Sequence, residues 1–351
     1  MTSVPLSVLD LAPVAEGSDN GTALAHTTTL ARRVEELGYH RFWVAEHHNM
    51  PGIASSAPAV LLAHLAASTS TIRLGSGGVM LPNHAPLVVA EQFGTLVALH
   101  PGRIDLGIGR APGTDQITAL ALRRSVEGLS AEDFPQELAR LVGYFGTDGM
   151  SSPRGSAGRP GHAAGQPRVT AVPGRGDAPA VWLLGSSDFS ARLAGRLGLP
   201  FSFAHHFSAA NTDLALDLYR REFRPSRWLA EPYAMVAVSA VCADTDERAE
   251  YLSLPSGLSF LRLRQGRPGR MPTPAEAAAH PYSDLERAFI ASRRDGQALG
   301  SPETVTDQLN ALLRRTKADE LMLTTLVFDI DDRIRSFELI AEQVAPKLES
   351  R

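Results

Sequence analysis

The sequence predicts an α/β fold in which parallel strands close into a (β/α)8 TIM barrel, with loop insertions after the fourth and seventh strands. Three observations predict it. Eight short apolar runs are spaced along the chain, amphipathic helical patterns lie between them, and the alternation persists almost from end to end. Strand–helix alternation demands a parallel sheet, because parallel neighbours need a crossover connection. Eight is the number of strands that closes such a sheet. An open doubly wound sheet is the alternative for the same alternation. A single domain over 1–351 accommodates the whole pattern.

The elements follow in order. The run Leu6–Leu11 precedes a helix over Ala23–Leu37, where Leu24, Leu30, Ala31, Val34 and Leu37 recur at helical spacing and Gly38 is placed to end it. The second strand, Arg41–Glu46, leads to a helix over Ala57–Ser68. Ile72–Gly77 pairs with a helix over Leu87–Leu99, and Ile104–Gly109 is the fourth strand. The stretch 149–177, rich in Gly, Ser, Pro, Ala and Arg with almost no large apolar residue before Val169, reads as a flexible insertion on the barrel. Val181–Gly185 with Phe189–Leu197, and Pro200–Ala204 with Thr212–Phe223, are the fifth and sixth pairs. After the seventh strand, Met235–Cys242, the stretch 258–299 mixes Arg262, Arg264, Arg267 and Arg270 with Phe260, Leu261 and Leu263. Long loops after barrel strands act as lids, so 258–299 is a candidate lid, with a disordered surface excursion as the plainer alternative. A helix over Pro302–Arg315, the eighth strand Leu321–Phe328 and a helix over Ile334–Lys347 complete the chain.

Composition excludes several classes. A formal net charge of −4 argues against a nucleic-acid surface, which needs clustered positive charge. The one cysteine, Cys242, excludes an internal disulfide and a cysteine-built zinc site, and fits a reducing compartment. No basic start with an apolar stretch reads as a signal peptide, and no apolar run approaches the ~20 residues of a membrane span. The expectation is a cytoplasmic protein without membrane or nucleic-acid partners.

The chemistry concentrates at strand ends. Glu46-His47-His48 closes the second strand, where side chains face the reaction chamber of a barrel and imidazoles can donate or accept protons or bind a metal. The plainer alternative is one histidine capping a loop and the other exposed. Gly75-Ser76-Gly77-Gly78 allows a backbone to approach a flat ligand, or simply turns tightly. Arg110, after the fourth strand, can clamp a phosphate with paired hydrogen bonds or enter a salt bridge. Ser186-Ser187-Asp188-Phe189-Ser190 opens a helix, as a phosphate site or as an ordinary N-cap. A second pair, His205-His206, ends the sixth strand. The first strand carries Leu9-Asp10-Leu11 and not His-x-His, and no carboxylate cluster accompanies the histidines, so no metal is expected.

Taken together, Glu46-His47-His48, Gly75 to Pro82, Pro86 to Gln92, His100 to Arg110, Leu184 to Ser187 and Leu299 to Glu303 resemble the bacterial luciferase-like flavin monooxygenase superfamily, and the subgroup that tailors aromatic polyketides. The resemblance implies a (β/α)8 barrel. It places His47 as the residue of flavin–oxygen chemistry, with Glu46 or His48 orienting it. It places Gly77-Gly78, at a non-prolyl cis peptide, against the isoalloxazine ring. Arg110, Ser187 and Ser190, with Ser186 beside them, fall where the family holds the flavin phosphate. Gly109 stands where luciferase has a reactive cysteine, and Ser186 where it has a glutamate, which argues against a light-emitting aldehyde reaction.

The activity implied is that of a monooxygenase using O2 and reduced FMN, which a separate NAD(P)H:flavin reductase supplies, since no Rossmann G-x-G-x-x-G precedes a helix. The substrate is then a small apolar or aromatic molecule of secondary metabolism, with Phe42, Trp43, Phe201 and Phe203 as candidate chamber aromatics. Hydride transfer with F420 and non-catalytic flavin binding are the alternatives. A homodimer is expected from the resemblance and from the 57–68 helix, where Ala57, Ala59, Ala63, Ala66 and Ala67 allow close approach and Leu61, Leu62 and Leu65 supply apolar area.

Overall fold

The computed structural model describes residues 4–111, 115–123, 133–146 and 169–349. Nine strands form one parallel sheet: β1 Leu6–Asp10, β2 Arg41–Val44, β3 Arg73–Met80, β4 Ile104–Gly109, β5 Ala180–Gly185, β6 Phe201–Ala204, β7 Ala234–Cys242, β8 Gln297–Gly300 and β9 Glu320–Thr324. β1 to β7 pair in sequence order, β7 pairs with β9, and β9 pairs with β1, so eight strands close on themselves. This is the (β/α)8 barrel that the alternation predicts.

β8 is an addition. Ser239 of β7 pairs with both Thr324 of β9 and Gln297 of β8, so β8 takes up the edge of β7 that β6 leaves when it ends. Three of the four residues of β8, Gln297 to Leu299, fall within the stretch expected as a lid. There the chain forms the end of a helix over Asp246–Arg264, two further helices at Pro274–Ala279 and Asp284–Arg294, and β8. The long helix escapes a sequence reading because Pro255 lies inside it, where proline ordinarily breaks helices. A helix over Phe134–Tyr144, between β4 and β5, also lies outside the expected set. Of the insertion expected over 149–177, residues 149–168 lie outside the described residues, while in the remainder Ala171 is buried.

Strand alternation sorts the barrel side chains into two sets. Outward residues such as Val8, Phe42, Leu74, Leu106, Phe201 and Phe203 join the helices in the main core. Inward residues stack in layers. At the amino ends of the strands, Arg41 donates from Nη1 to Asp105 Oδ2 at 2.8 Å and from Nε to Glu320 Oε1 at 2.7 Å. Trp43 Nε1 and the Arg73 guanidinium also donate to Asp105, at 3.0 and 2.5 Å, and Tyr233 Oη and Ser7 Oγ donate to Glu320. Burial opposes the charge on Arg41, but Asp105 and Glu320 outweigh it and raise its pKa. Above lie Leu9, Trp43, Trp182 and Met322, with the two indoles edge to face at 5.3 Å. Gly75 and Gly77 face Trp43, where an added Cβ would come within 2.5 and 3.3 Å of the indole.

The helix Pro58–Ser68 directs Leu62, Leu65 and Ala66 into its own barrel core, which removes them from any contact with a second chain. The face left outside carries Val60, 70% exposed, with Ala63 and Ala67.

Removing one partner from a buried ion network strands the others. Arg41→Met, which roughly keeps the side-chain volume, is therefore expected to lose about 3–5 kcal/mol of stability. Urea unfolding at neutral pH measures it, and a loss below about 1 kcal/mol would show that the network contributes nothing of this kind.

Candidate active site

A cavity opens at the carboxyl ends of the strands, the end at which barrels of this kind carry their sites. All eight barrel strands line it, from Leu9 of β1 to Thr324 of β9, and Trp43 and Met322 from the apolar layer below also line it. Its empty space is about 1240 Å³ counted to the open mouth.

One side gathers a cation, hydroxyls and a helix start. Arg110 leaves the end of β4 with its guanidinium 4.3 Å over the Phe189 ring, among the cavity residues that include Ser186, Ser187 and Ser190. Ser187 is the N-cap of the helix Asp188–Leu197, yet its hydroxyl makes no capping hydrogen bond. The free N–H groups and positive dipole end of a helix favour an anion there. The neighbouring carboxylate of Asp188 lies 3.8 Å from Arg192 on its own helix.

The wall beside it is backbone. Gly77 and Gly78 are joined by a cis peptide bond and both line the cavity. A Cβ on Gly77 would sit 2.6 Å from Leu9 Cδ1, and one on Gly78 2.8 Å from the Gly107 carbonyl oxygen. Only glycine lets β3 present this surface.

Of Glu46-His47-His48, only His47 lines the cavity. β2 ends at Val44, short of the expected Glu46, because after Ala45 N bonds to Asp10 O the chain turns and His47 N bonds to Ser55 O at 3.0 Å. Glu46 points away from the cavity and is fully buried. Its Oε1 accepts from Nε2 of His48 and of His84, each at 2.9 Å, and its Oε2 accepts from the Met80 backbone N–H at 3.1 Å. Burial opposes its charge, yet the His84 and His48 bonds and the Met80 N–H hold its carboxyl below the usual range. Glu46 therefore anchors the end of β3, just past the glycine wall. These three side chains bring ligand-type atoms within 4.8 Å of one another, and they use them on each other as hydrogen bonds.

The second pair divides in the same way. His206 lines the cavity, while His205 is buried with Nδ1 2.6 Å from Thr212 Oγ1. His206 Nδ1 lies 3.0 Å from the Ala237 carbonyl, so it must donate, and the neutral ring leaves Nε2 as an acceptor. Burial, reinforced by the charge of Arg293, pushes the pKa of His206 down to about 4. Phe42, Phe201 and Phe203, expected as chamber aromatics, face the helices instead, and only Trp43 of that group lines the cavity. Arg293 lines it without a sequence signal, because its helix reaches the rim only in the folded chain, and Phe260 of the candidate lid and Thr324, the last residue of β9, line it as well.

The chain matches the model of the luciferase-like monooxygenase family over residues 4–320 and belongs to that family. It is 47% identical over 337 residues to a luciferase-like monooxygenase of Escherichia coli (strain K12), covering 96% of each chain. It is 37% identical over 344 residues to the N-acetyl-S-alkylcysteine monooxygenase of Bacillus subtilis (strain 168), covering 97% of this chain and 98% of the relative. The crystal structure of apo-MsnO8 superposes with a TM-score of 0.86 at 39% identity, covering 99% of this chain and 100% of that one. The oxygenating constituent of 3,6-diketocamphane monooxygenase from Pseudomonas putida, solved in complex with FMN, shares the fold at TM-score 0.73 and 22% identity, with 99% of each chain covered. No helix among the described residues is long and apolar enough to cross a membrane.

His206 ties stability to pH. A histidine whose pKa falls from 6.5 to about 4 on folding binds its proton more readily in the unfolded chain, so stability declines as pH drops through that window. His205, lowered to about 4 by burial, acts in the same direction. His206→Asn is expected to flatten the decline between pH 6.5 and 4 in urea unfolding, and an unchanged slope would show that His206 titrates normally in the fold.

Proposed function

We propose that this protein is a monooxygenase that binds reduced FMN in the barrel cavity and uses O2 to oxygenate a small apolar or aromatic molecule, of polyketide type in the narrower reading. The juxtaposition of an anion grip, a flat glycine wall and His47 around one cavity carries the proposal. The residues present suit the mononucleotide: the Ser187 hydroxyl is free of capping duty, Arg110 makes no ion pair among the described residues, and the β3 backbone offers a surface that any Cβ would spoil. Arg110, Ser186, Ser187 and Ser190 would hold the phosphate, and Gly77–Gly78 would lie against the ring system. Reduced FMN, when bound, supplies the two electrons with which O2 is activated.

The chain's own groups do the rest. His47 faces the cavity and holds or delivers the proton that oxygen transfer requires. Glu46 acts from behind the wall, tying Met80, His48 and His84 so that the glycine surface keeps its place. The apolar layer of Leu9, Trp43 and Met322 keeps water from the cavity floor. A separate NAD(P)H:flavin reductase provides the reduced cofactor.

Arg110→Ala should weaken binding of reduced FMN by about 1.5–3 kcal/mol, the range for a hydrogen bond to a charged group. His47→Ala should keep that affinity but lower coupled product about 10²–10⁴-fold, with hydrogen peroxide released instead. Anaerobic flavin titration and product assay with reductase-supplied flavin check both, and unchanged affinity in the first or unchanged product in the second would remove that residue from its role. Selective binding of F420 over FMN would overturn the cofactor itself.

The protein acts as a homodimer in this reading, through the exposed Val60, Ala63 and Ala67 face. Light scattering at micromolar concentration should give twice the chain mass, and a monomeric mass would exclude the pair.

A further inference from the structure

The cavity contains a second cation that the cofactor reading does not use. Arg293 sits in the last turn of the helix Asp284–Arg294, half-buried, and lines the cavity. Its guanidinium lies 3.6 Å over the Phe260 ring, a cation–π contact that holds the side chain in place. Among the described residues it has neither a carboxylate partner nor a hydrogen bond. Its neighbours on the same helix are satisfied: Arg294 pairs with Glu250 at 3.1 Å and Arg287 with Asp284 at 2.7 Å. Burial without a partner lowers the pKa of Arg293. A partly desolvated guanidinium facing the cavity lacks, among the described residues, the anion that would compensate it.

Two of the neutral polar groups that line that cavity keep hydrogen-bonding capacity unused. The Nε2 of His206 is a hydrogen-bond acceptor, and the buried Thr324 Oγ1 has no hydrogen-bond partner among the described residues. Phe260 and Trp43 add apolar surface to the same cavity. On the reading that the FMN phosphate occupies the Arg110 side, on which this inference rests, Arg293 remains for a second anion.

We propose that Arg293 is a specificity-determining residue that binds a carboxylate on the substrate, so that the substrate class is an apolar or aromatic carboxylic acid and not a neutral hydrocarbon or ketone. The planar guanidinium matches a carboxylate with two parallel hydrogen bonds. A neutral analogue leaves the cation buried and unpaired, which is the condition under which a polar site discriminates strongly.

The test uses carboxylate–amide pairs on FMN-loaded protein: hexanoate with hexanamide, and 4-phenylbutyrate with 4-phenylbutyramide, followed by titration calorimetry. In the wild type, at least one carboxylate should bind tenfold or more tightly than its amide. Arg293→Met, which keeps a stem against Phe260, should abolish that difference, and Arg293→Lys should retain part of it. FMN affinity should stay within twofold of wild type in both variants. Equal binding of acid and amide, no measurable binding of either acid, or a preference that persists in Arg293→Met overturns the proposal. A fall in FMN affinity in Arg293→Met as large as that in Arg110→Ala assigns Arg293 to the cofactor phosphate and also overturns it. Failure of the wild type to bind FMN defeats the cofactor reading separately, and the same acid–amide titrations on cofactor-free protein still decide the role of Arg293.

Discussion

The buried charge cluster around Arg41 is the constraint on which the barrel interior depends. Arg41, Asp105 and Glu320 come from β2, β4 and β9, and Ser7, Arg73 and Tyr233 join from β1, β3 and the approach to β7. Charges removed from water hold together only where each finds a partner at good geometry. The cluster therefore admits few registers of these strands, because a shift by one residue would turn Arg41 outward into the apolar core. Arg41 also lies 4.8 Å beneath the Trp182 ring, so the charged floor sets the height of the aromatic layer above it.

That layer in turn shapes the cavity. Trp43 needs the missing side chains of Gly75 and Gly77, and the same absence exposes β3 backbone to the cavity. Glu46 then secures the exposed strand end through the Met80 N–H. The wall is thus held from below by packing and from behind by a buried carboxylate. Neither Glu46 nor His48 reaches the cavity, and their effect on any bound ring passes through the backbone they hold.

The two sides of the cavity differ in how they are built. The Arg110 side is local in sequence terms: strand ends and one helix start supply every group. The Arg293 side is assembled from helices inserted between β7 and β9, with His206 from the end of β6. This difference explains what could be read in advance. Gly77, Gly78, Arg110, Ser186, Ser187 and Ser190 stand in short contiguous motifs, and all six line the cavity. Arg293 sits among many exposed arginines, with nothing in its neighbours to mark it. Glu46 was legible as a residue of interest, but its partner His84 lies 38 positions away, and only folding shows that the two meet.

By itself the sequence determined the alternation of strands and helices, the eight strands that form the barrel, and the strand ends that carry polar groups, because periods of 2 and 3.6 and the glycine and serine motifs are local properties of the chain. It did not determine the facing of adjacent residues. His47 and not His48, His206 and not His205, and Trp43 and not Phe42 line the cavity. That choice depends on where each strand leaves its hydrogen-bonded ladder and which way its side chains alternate around the closed barrel. Those are settled by bonds between segments far apart in sequence, such as Ala45 N to Asp10 O and His206 N to Ala237 O. The tertiary structure decided them.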